Sequence, residues 1–291
     1  MDLMKNIFIS PDEPRLRSGW RLLCQFLIMF FIIVFFGSLL VVVSQAAPAL
    51  AFLGDQFFIG VIAYTLSIYI ARRWFDRRSF VSLGVEPTSN AVRDLLAGVL
   101  IAGLVMGLIF LVELSLGWLA FQGFATLDAP SLMGLGYWAF AFILVGWGEE
   151  LLSRGYMLQN LEEGAGLNWA VFISSTIFGL LHAFNPEASI TAVLGVLGAG
   201  YFLAYGYIRT RQLWLPIGLH IGWNFFEGPI FSFPVSGLET INLLRHEATG
   251  PALITGGAFG PEAGLIVLPA MAVGAYLIYL YTKTYPVHKK R

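Results

Sequence analysis

Glu149 and Glu150 stand side by side in an otherwise apolar stretch, with Arg154 four residues after the second of them. On an α-helix a spacing of four puts Glu150 and Arg154 on one face, at ion-pair range. Glu149 then turns to a neighbouring face without a local cation. One carboxylate paired and one available is the arrangement that separates two acidities and creates a general base. His182 closes the run Phe178-Gly179-Leu180-Leu181-His182, and His220-Ile221-Gly222-Trp223-Asn224 sets an imidazole and a carboxamide four residues apart on one stripe. Both of those side chains can donate hydrogen bonds to a developing oxyanion. A base, an activated water and oxyanion donors are what hydrolysis of a peptide bond needs. The competing readings are plainer: the two glutamates mark a helix end at a membrane surface, and His182 is a satisfied core histidine.

These residues sit inside segments apolar enough to cross a bilayer. Runs of about 20 apolar residues are the mark of spanning helices. Eight are expected, at 22–43, 53–71, 95–116, 135–152, 168–183, 190–208, 213–229 and 264–281, the second and fifth being the weakest. The fold class expected is an all-α polytopic transmembrane bundle, one integral membrane domain over 1–291 with a motif-bearing core at 135–229. The first run, followed by Ser44-Gln45-Ala46-Ala47, has the look of a signal peptide. Its apolar stretch exceeds the usual 7–15 residues, which favours an uncleaved helix.

Composition agrees. The 291 residues are 57% hydrophobic and 12% charged, against about 25% charged in a soluble domain. A net charge of −1 gives no argument for a nucleic-acid partner. Cys24, the single cysteine, excludes an intrachain disulfide and a cysteine metal cage. With the N-terminus inside, fifteen of the seventeen Lys and Arg fall in inside segments, among them Lys5, Arg15, Arg17, Arg21, Arg72, Arg73, Arg77, Arg78 and the Lys289-Lys290-Arg291 tail. Only Arg245 falls in an outside loop, and Arg154 lies at the inner end of the fourth span. That asymmetry places both termini in the cytoplasm.

An ionisable side chain within a span costs about 2.5–3.5 kcal/mol on insertion scales and usually faces the bundle interior. Glu149 lies sixteen residues before Ala165, in the turn Gly164-Ala165-Gly166, and His182 seventeen after it, so an antiparallel hairpin would bring them to similar height. Glu113 and Glu227 are weaker candidates, as a proton relay or a gate, and are expected to sit near an interface and reach water. Gly195, Gly198 and Gly200 imply close helix packing. His246 and His288 receive no role.

Glu149-Glu150-x-x-x-Arg154, Phe178-x-x-x-His182 and His220-x-x-x-Asn224 resemble, in that order, the three motifs of the CPBP family. These are intramembrane peptidases named for CAAX prenyl endopeptidases and bacteriocin processing. Arg17-Ser18-Gly19-Trp20-Arg21 and Leu213-Trp214-Leu215-Pro216 add to the likeness. The resemblance implies that Glu149 activates water, helped by His182, and that Arg154 fixes Glu150. It also implies that His220 and Asn224 hold the oxyanion, and that the substrate is a membrane-associated protein or peptide. Glu149, His182 and His220 could instead supply three ligands to Zn²⁺, with water in the fourth position; a metal-free carboxylate–histidine site uses the same residues. A non-catalytic scaffold, immunity factor or chaperone of the same fold is the alternative, and a proton-coupled transporter a third reading.

Overall fold

The computed structural model describes residues 7–10, 13–46 and 56–285. Lys5, Ala47, the opening residues of the second expected span and the tail from 286, with His288, lie outside them. Helices α1 (Ser18–Ala46), α2 (Gln56–Trp74) and α3 (Ala91–Ser115) come first. Helix α4 (Ala129–Glu150) runs through a π-helical segment, Leu151–Met157, into α5 (Leu158–Ala165). Then follow α6 (Leu167–Leu181), ending in a 3-10 turn at His182–Phe184, and α7 (Ile190–Thr210). Helix α8 (Trp214–Phe225) continues as a π turn, Phe226–Ile230; the short α9 (Ala252–Thr255) and α10 (Val267–Thr282) complete the set.

Five of these helical stretches are long and apolar enough to cross a membrane: 18–43, 91–115, 129–165, 167–184 and 190–210. The protein is a multi-pass integral membrane helical bundle. Of the eight expected spans, five meet that measure among the described residues, and the other three are shorter or more polar helices. Helix α8 has 12 residues and α10 has 16, below the roughly 20 that a bilayer core needs. Helix α2 has 19, but Tyr64, Thr65, Ser67 and the closing Arg72-Arg73 dilute its apolar run. Lipid-facing stripes are plain elsewhere. Leu96, Leu100, Leu104, Leu108 and Leu111 of α3 are exposed at helical spacing, as are Leu23, Leu27, Phe31 and Phe35 of α1, an arrangement stable in hydrocarbon and costly in water.

Contacts gather the chain into two compact units. The first joins Met1–Glu86 with Leu144–Ser174, the second Pro87–Ile143 with Ser175–Arg291. The chain passes between them at Glu86–Pro87, within α4 and within α6.

In the first unit α1 packs on α2, where Gln25 Nε2 donates to Ser67 Oγ at 3.0 Å. The unit is tied by a buried ion network. Asp76 accepts from Arg21 Nη1 and Arg72 Nη1, each at 2.9 Å, and from the Tyr156 hydroxyl at 3.3 Å. Arg15 and Arg21 both donate to Glu163 Oε1 at 2.8 Å. Sequence counting treats Arg15, Arg21 and Arg72 as inside-surface charges. All three are buried, because opposite charges from three segments meet there.

In the second unit α3 crosses α8 at glycine. A Cβ at Gly218 would strike the Leu95 carbonyl, one at Gly222 the Val99 backbone, and one at Gly98 the Leu215 and Gly218 backbone. Small residues four apart are the usual device for such close approach. Around the crossing lies a core that includes Val105, Met106, Ile109, Phe202, Leu219 and Trp223. Gly195 packs on the Glu262 carbonyl and Gly200 on Ser175, as the small-residue spacing of α7 suggests, while Gly198 has only Met271 nearby. The one departure from an all-helical reading is a two-stranded antiparallel ribbon, β1 (Leu119–Phe124) on β2 (Leu244–Ala248). Leu119 pairs Ala248 and Phe121 pairs His246, with an irregularity before Gly123. Each strand is too short to stand out from the loops around it.

Candidate functional site

In the first unit, the local chemistry begins at the end of α4. Trp147 Nε1 donates to Thr65 Oγ1 at 3.1 Å, which anchors this turn on α2. Gly148 follows, and a Cβ there would come within 2.9 Å of the Tyr64 ring, so its absence lets that ring lie against the helix beside Glu149. Glu150 is fully buried, and its Oε1 accepts from Arg154 Nη1 at 2.7 Å. The i,i+4 ion pair expected from spacing is therefore present.

The expectation that Glu149 has no local cation does not hold. Arg154 also feels the Glu149 charge. A π-helical segment starts at Leu151, and its closing bond runs from the Leu158 N–H to the Ser153 carbonyl. Such single π turns often lie at functional sites.

In the second unit, His182 opens the 3-10 turn that ends α6, and its Nδ1 lies 2.8 Å from the Phe178 carbonyl. A carbonyl can only accept, so Nδ1 carries the proton and Nε2 is the basic nitrogen of the neutral ring. The Phe178 ring stands 4.8 Å from the His182 ring and 6.1 Å, edge-on, from the His220 ring. One aromatic side chain thus packs against both imidazoles. His220 and Asn224 are buried on α8, two residues on from Gly218 and Gly222 respectively. At 100° per residue that offset turns them away from the face that meets α3.

Two glutamates depart from expectation. Glu113 and Glu227 are both fully buried, and no oxygen of either accepts a hydrogen bond. Neither reaches water. The α3 and α8 segments that carry them end beneath packed loop and ribbon, which sequence spacing does not reveal. Glu262, which drew no notice as a loop residue, is also buried and accepts from Trp223 Nε1 at 3.1 Å and from Ser236 Oγ. The only sequence signal for it is its place in Gly260-Pro261-Glu262, between loop breakers.

Among the described residues, no group of three or more His, Cys, Asp or Glu side chains is placed to hold a metal ion.

Comparison with known proteins bears on the same stretch. Residues 131–226 match the family model of the type II CAAX prenyl endopeptidase Rce1-like domain. That interval contains Glu149, Glu150, Arg154, His182, His220 and Asn224. Segment 131–226 is similar to that domain. A curated relative, "Putative membrane peptidase YdiL" of Bacillus subtilis (strain 168), is 32% identical over 111 residues. The aligned part spans 38% of this chain and 41% of that relative. No solved structure matches the chain. The matched segment ends one residue before Glu227, and neither Glu227 nor Glu262 belongs to it.

Proposed function

We propose that this protein is an intramembrane endopeptidase that hydrolyses a peptide bond in a membrane-associated or lipidated protein or peptide. The observation that carries the reading is the placing of all six motif residues, in order, within the Rce1-like segment 131–226. The name of that domain makes a prenylated protein with a C-terminal CAAX sequence one candidate substrate; a leader peptide and a membrane-anchored peptide are others.

In the reaction, Glu149 takes a proton from water, and polarising water is the task that the family resemblance gives to His182 through its basic Nε2. The hydroxide adds to the scissile carbonyl carbon. His220 and Asn224 hold the resulting oxyanion by hydrogen bonds. The tetrahedral intermediate then expels the amine, which takes the proton held by Glu149, and a carboxylic acid and an amine are released. Arg154 fixes Glu150 and tempers the charge on Glu149, supporting the base without touching substrate. Zinc on Glu149, His182 and His220 would instead supply a Lewis acid. Chelation followed by metal analysis and a cleavage assay separates the two; loss of cleavage restored by Zn²⁺ would favour the metal.

Proteomics of membrane fractions tests the function itself, comparing cells carrying the wild-type chain with cells carrying Glu149→Ala. A cleavage product present only with the wild-type chain supports a peptidase. Identical peptide profiles alongside an intact biological phenotype would favour a scaffold or chaperone.

A further inference from the structure

Beyond the six motif positions, the second unit holds two buried carboxyl groups that the proposed reaction does not use. Glu262 lies on the 3-10 turn Pro261–Ala263, and each of its oxygens has a donor: Trp223 Nε1 at 3.1 Å on Oε1 and Ser236 Oγ on Oε2. Three separate segments are joined in this way. Trp223 comes from α8, Ser236 from the loop after it, and Glu262 from the turn before α10.

Glu227 is the second residue of the π turn that extends α8, and it is an electrostatic neighbour of Glu262. It is fully buried, and neither of its oxygens accepts a hydrogen bond. Its Oε1 lies over Gly260, whose φ of +106° no ordinary side chain adopts readily; a Cβ there would be 3.2 Å from that oxygen and would collide with the Pro234 carbonyl. The space around Glu227 is therefore filled by backbone. No ion pair among the described residues involves either glutamate.

Two neighbouring carboxylates sealed from water without a cation cannot both stay ionised. Hydrogen bonds to the charged form decide which keeps its charge. Glu262 has two such bonds, whereas the one donor near Glu227, Trp223 Nε1, is within hydrogen-bond distance of Glu262 and not of Glu227. A buried charge without a partner neutralises.

We propose that Glu227 is held as a neutral carboxylic acid beside an ionised Glu262, and that the pair seats the loop 231–263 on α8 and so positions the His220–Asn224 stripe. His220, Asn224 and Glu227 stand at i, i+4 and i+7, on one face of the same helix. Glu227 is a positioning residue: a charge there would push Glu262, and with it Trp223, away from α8. The link to catalysis rests on His220 and Asn224 being oxyanion donors, whereas the protonation state does not.

Infrared spectroscopy of the full chain in detergent at neutral pH tests this, because a protonated carboxyl has a carbonyl stretch that a carboxylate lacks. The wild-type chain, made with ¹³C-labelled glutamate, should show such a band moving with the label. Glu113 is also buried without a donor, so its contribution is set aside by recording in a Glu113→Gln background. Glu227→Gln should then remove the remaining band and stay folded with cleavage retained. Glu262→Gln should keep the band and lower kcat with little change in KM. An unchanged band in Glu227→Gln overturns the proposal, as does a wild-type chain with no labelled band. Failure of both Glu227→Gln and Glu227→Met to fold would also overturn it, since neutral side chains of that length should replace a neutral acid. None of these spectra depends on peptidase activity, so an inactive wild-type chain would sink the functional reading and leave this one standing.

Discussion

Arg154 Nη1 lies 2.7 Å from Glu150 Oε1, with both side chains sealed from solvent, and the same guanidinium also lies in the field of Glu149. One cation thus stands near two adjacent carboxylates. Glu150 is the fully buried member and Glu149 is partly exposed; in the proposed reaction it is Glu149 that exchanges the proton.

Arg154→Ala should therefore damage folding and activity together. Removing one partner of a buried pair leaves an uncompensated charge and costs about 3–5 kcal/mol. The melting temperature in detergent and the recovery of folded protein should both fall. An Arg154→Ala chain as stable as wild type would show that the pair is not what holds this turn.

Asp76 should be as sensitive. It takes charged donors from Arg21 and Arg72 in a site with no water. Asp76→Asn keeps the shape but leaves two buried guanidinium groups facing each other, a loss of about 3–5 kcal/mol by the same reasoning. Arg78→Ala, whose pair with Glu13 is exposed, should cost at most about 1 kcal/mol. Comparable thermal shifts in the two variants would contradict a buried hub.

Gly218→Val tests the helix crossing. Its Cβ has no room against the Leu95 carbonyl, whereas Gly136 has open space around it. Overpacking of a tight contact typically costs about 1–3 kcal/mol, so Gly218→Val should lower the melting temperature and Gly136→Val should not. Because α8 carries His220 and Asn224, cleavage should fall with the first variant only.

How much of this was legible in the sequence depends on distance along the chain. The Glu150–Arg154 pair is a local, helical relationship, and spacing alone finds it. The π turn that begins at Leu151 is not legible in that way, since nothing in Leu151-Leu152-Ser153 announces a wider turn. His182 and His220 were each visible as polar residues in apolar runs, but the Phe178 ring that packs on both joins residues 42 apart in sequence. Arginines 15, 21 and 72 were counted as surface charge because their partners, Asp76 and Glu163, come from distant segments. Burial of Glu113 and Glu227 was missed because apolar runs mark membrane depth and say nothing of what loops cover their ends. Three of the eight expected spans, at α2, α8 and α10, are apolar yet too short or too mixed to meet a length-and-hydropathy measure among the described residues.

Read with eight spans, the placement of Lys and Arg leads to the expectation that both termini are cytoplasmic. Reporter fusions after Arg291 and within 128–133 should then report opposite faces of the membrane. The same face for both would contradict the eight-span orientation.

Rate and stability measured side by side on Glu149→Gln test the central claim most directly. The amide keeps the shape of Glu149 and cannot accept the proton. In purified protein, with a cleaved peptide as readout, kcat should fall by about 10²–10⁴, the usual contribution of a general base, while melting temperature and KM stay near wild type. Asn224→Ala, measured in the same assay, should lose about 10²–10³ in kcat. A Glu149→Gln protein that cleaves at the wild-type rate would contradict the account.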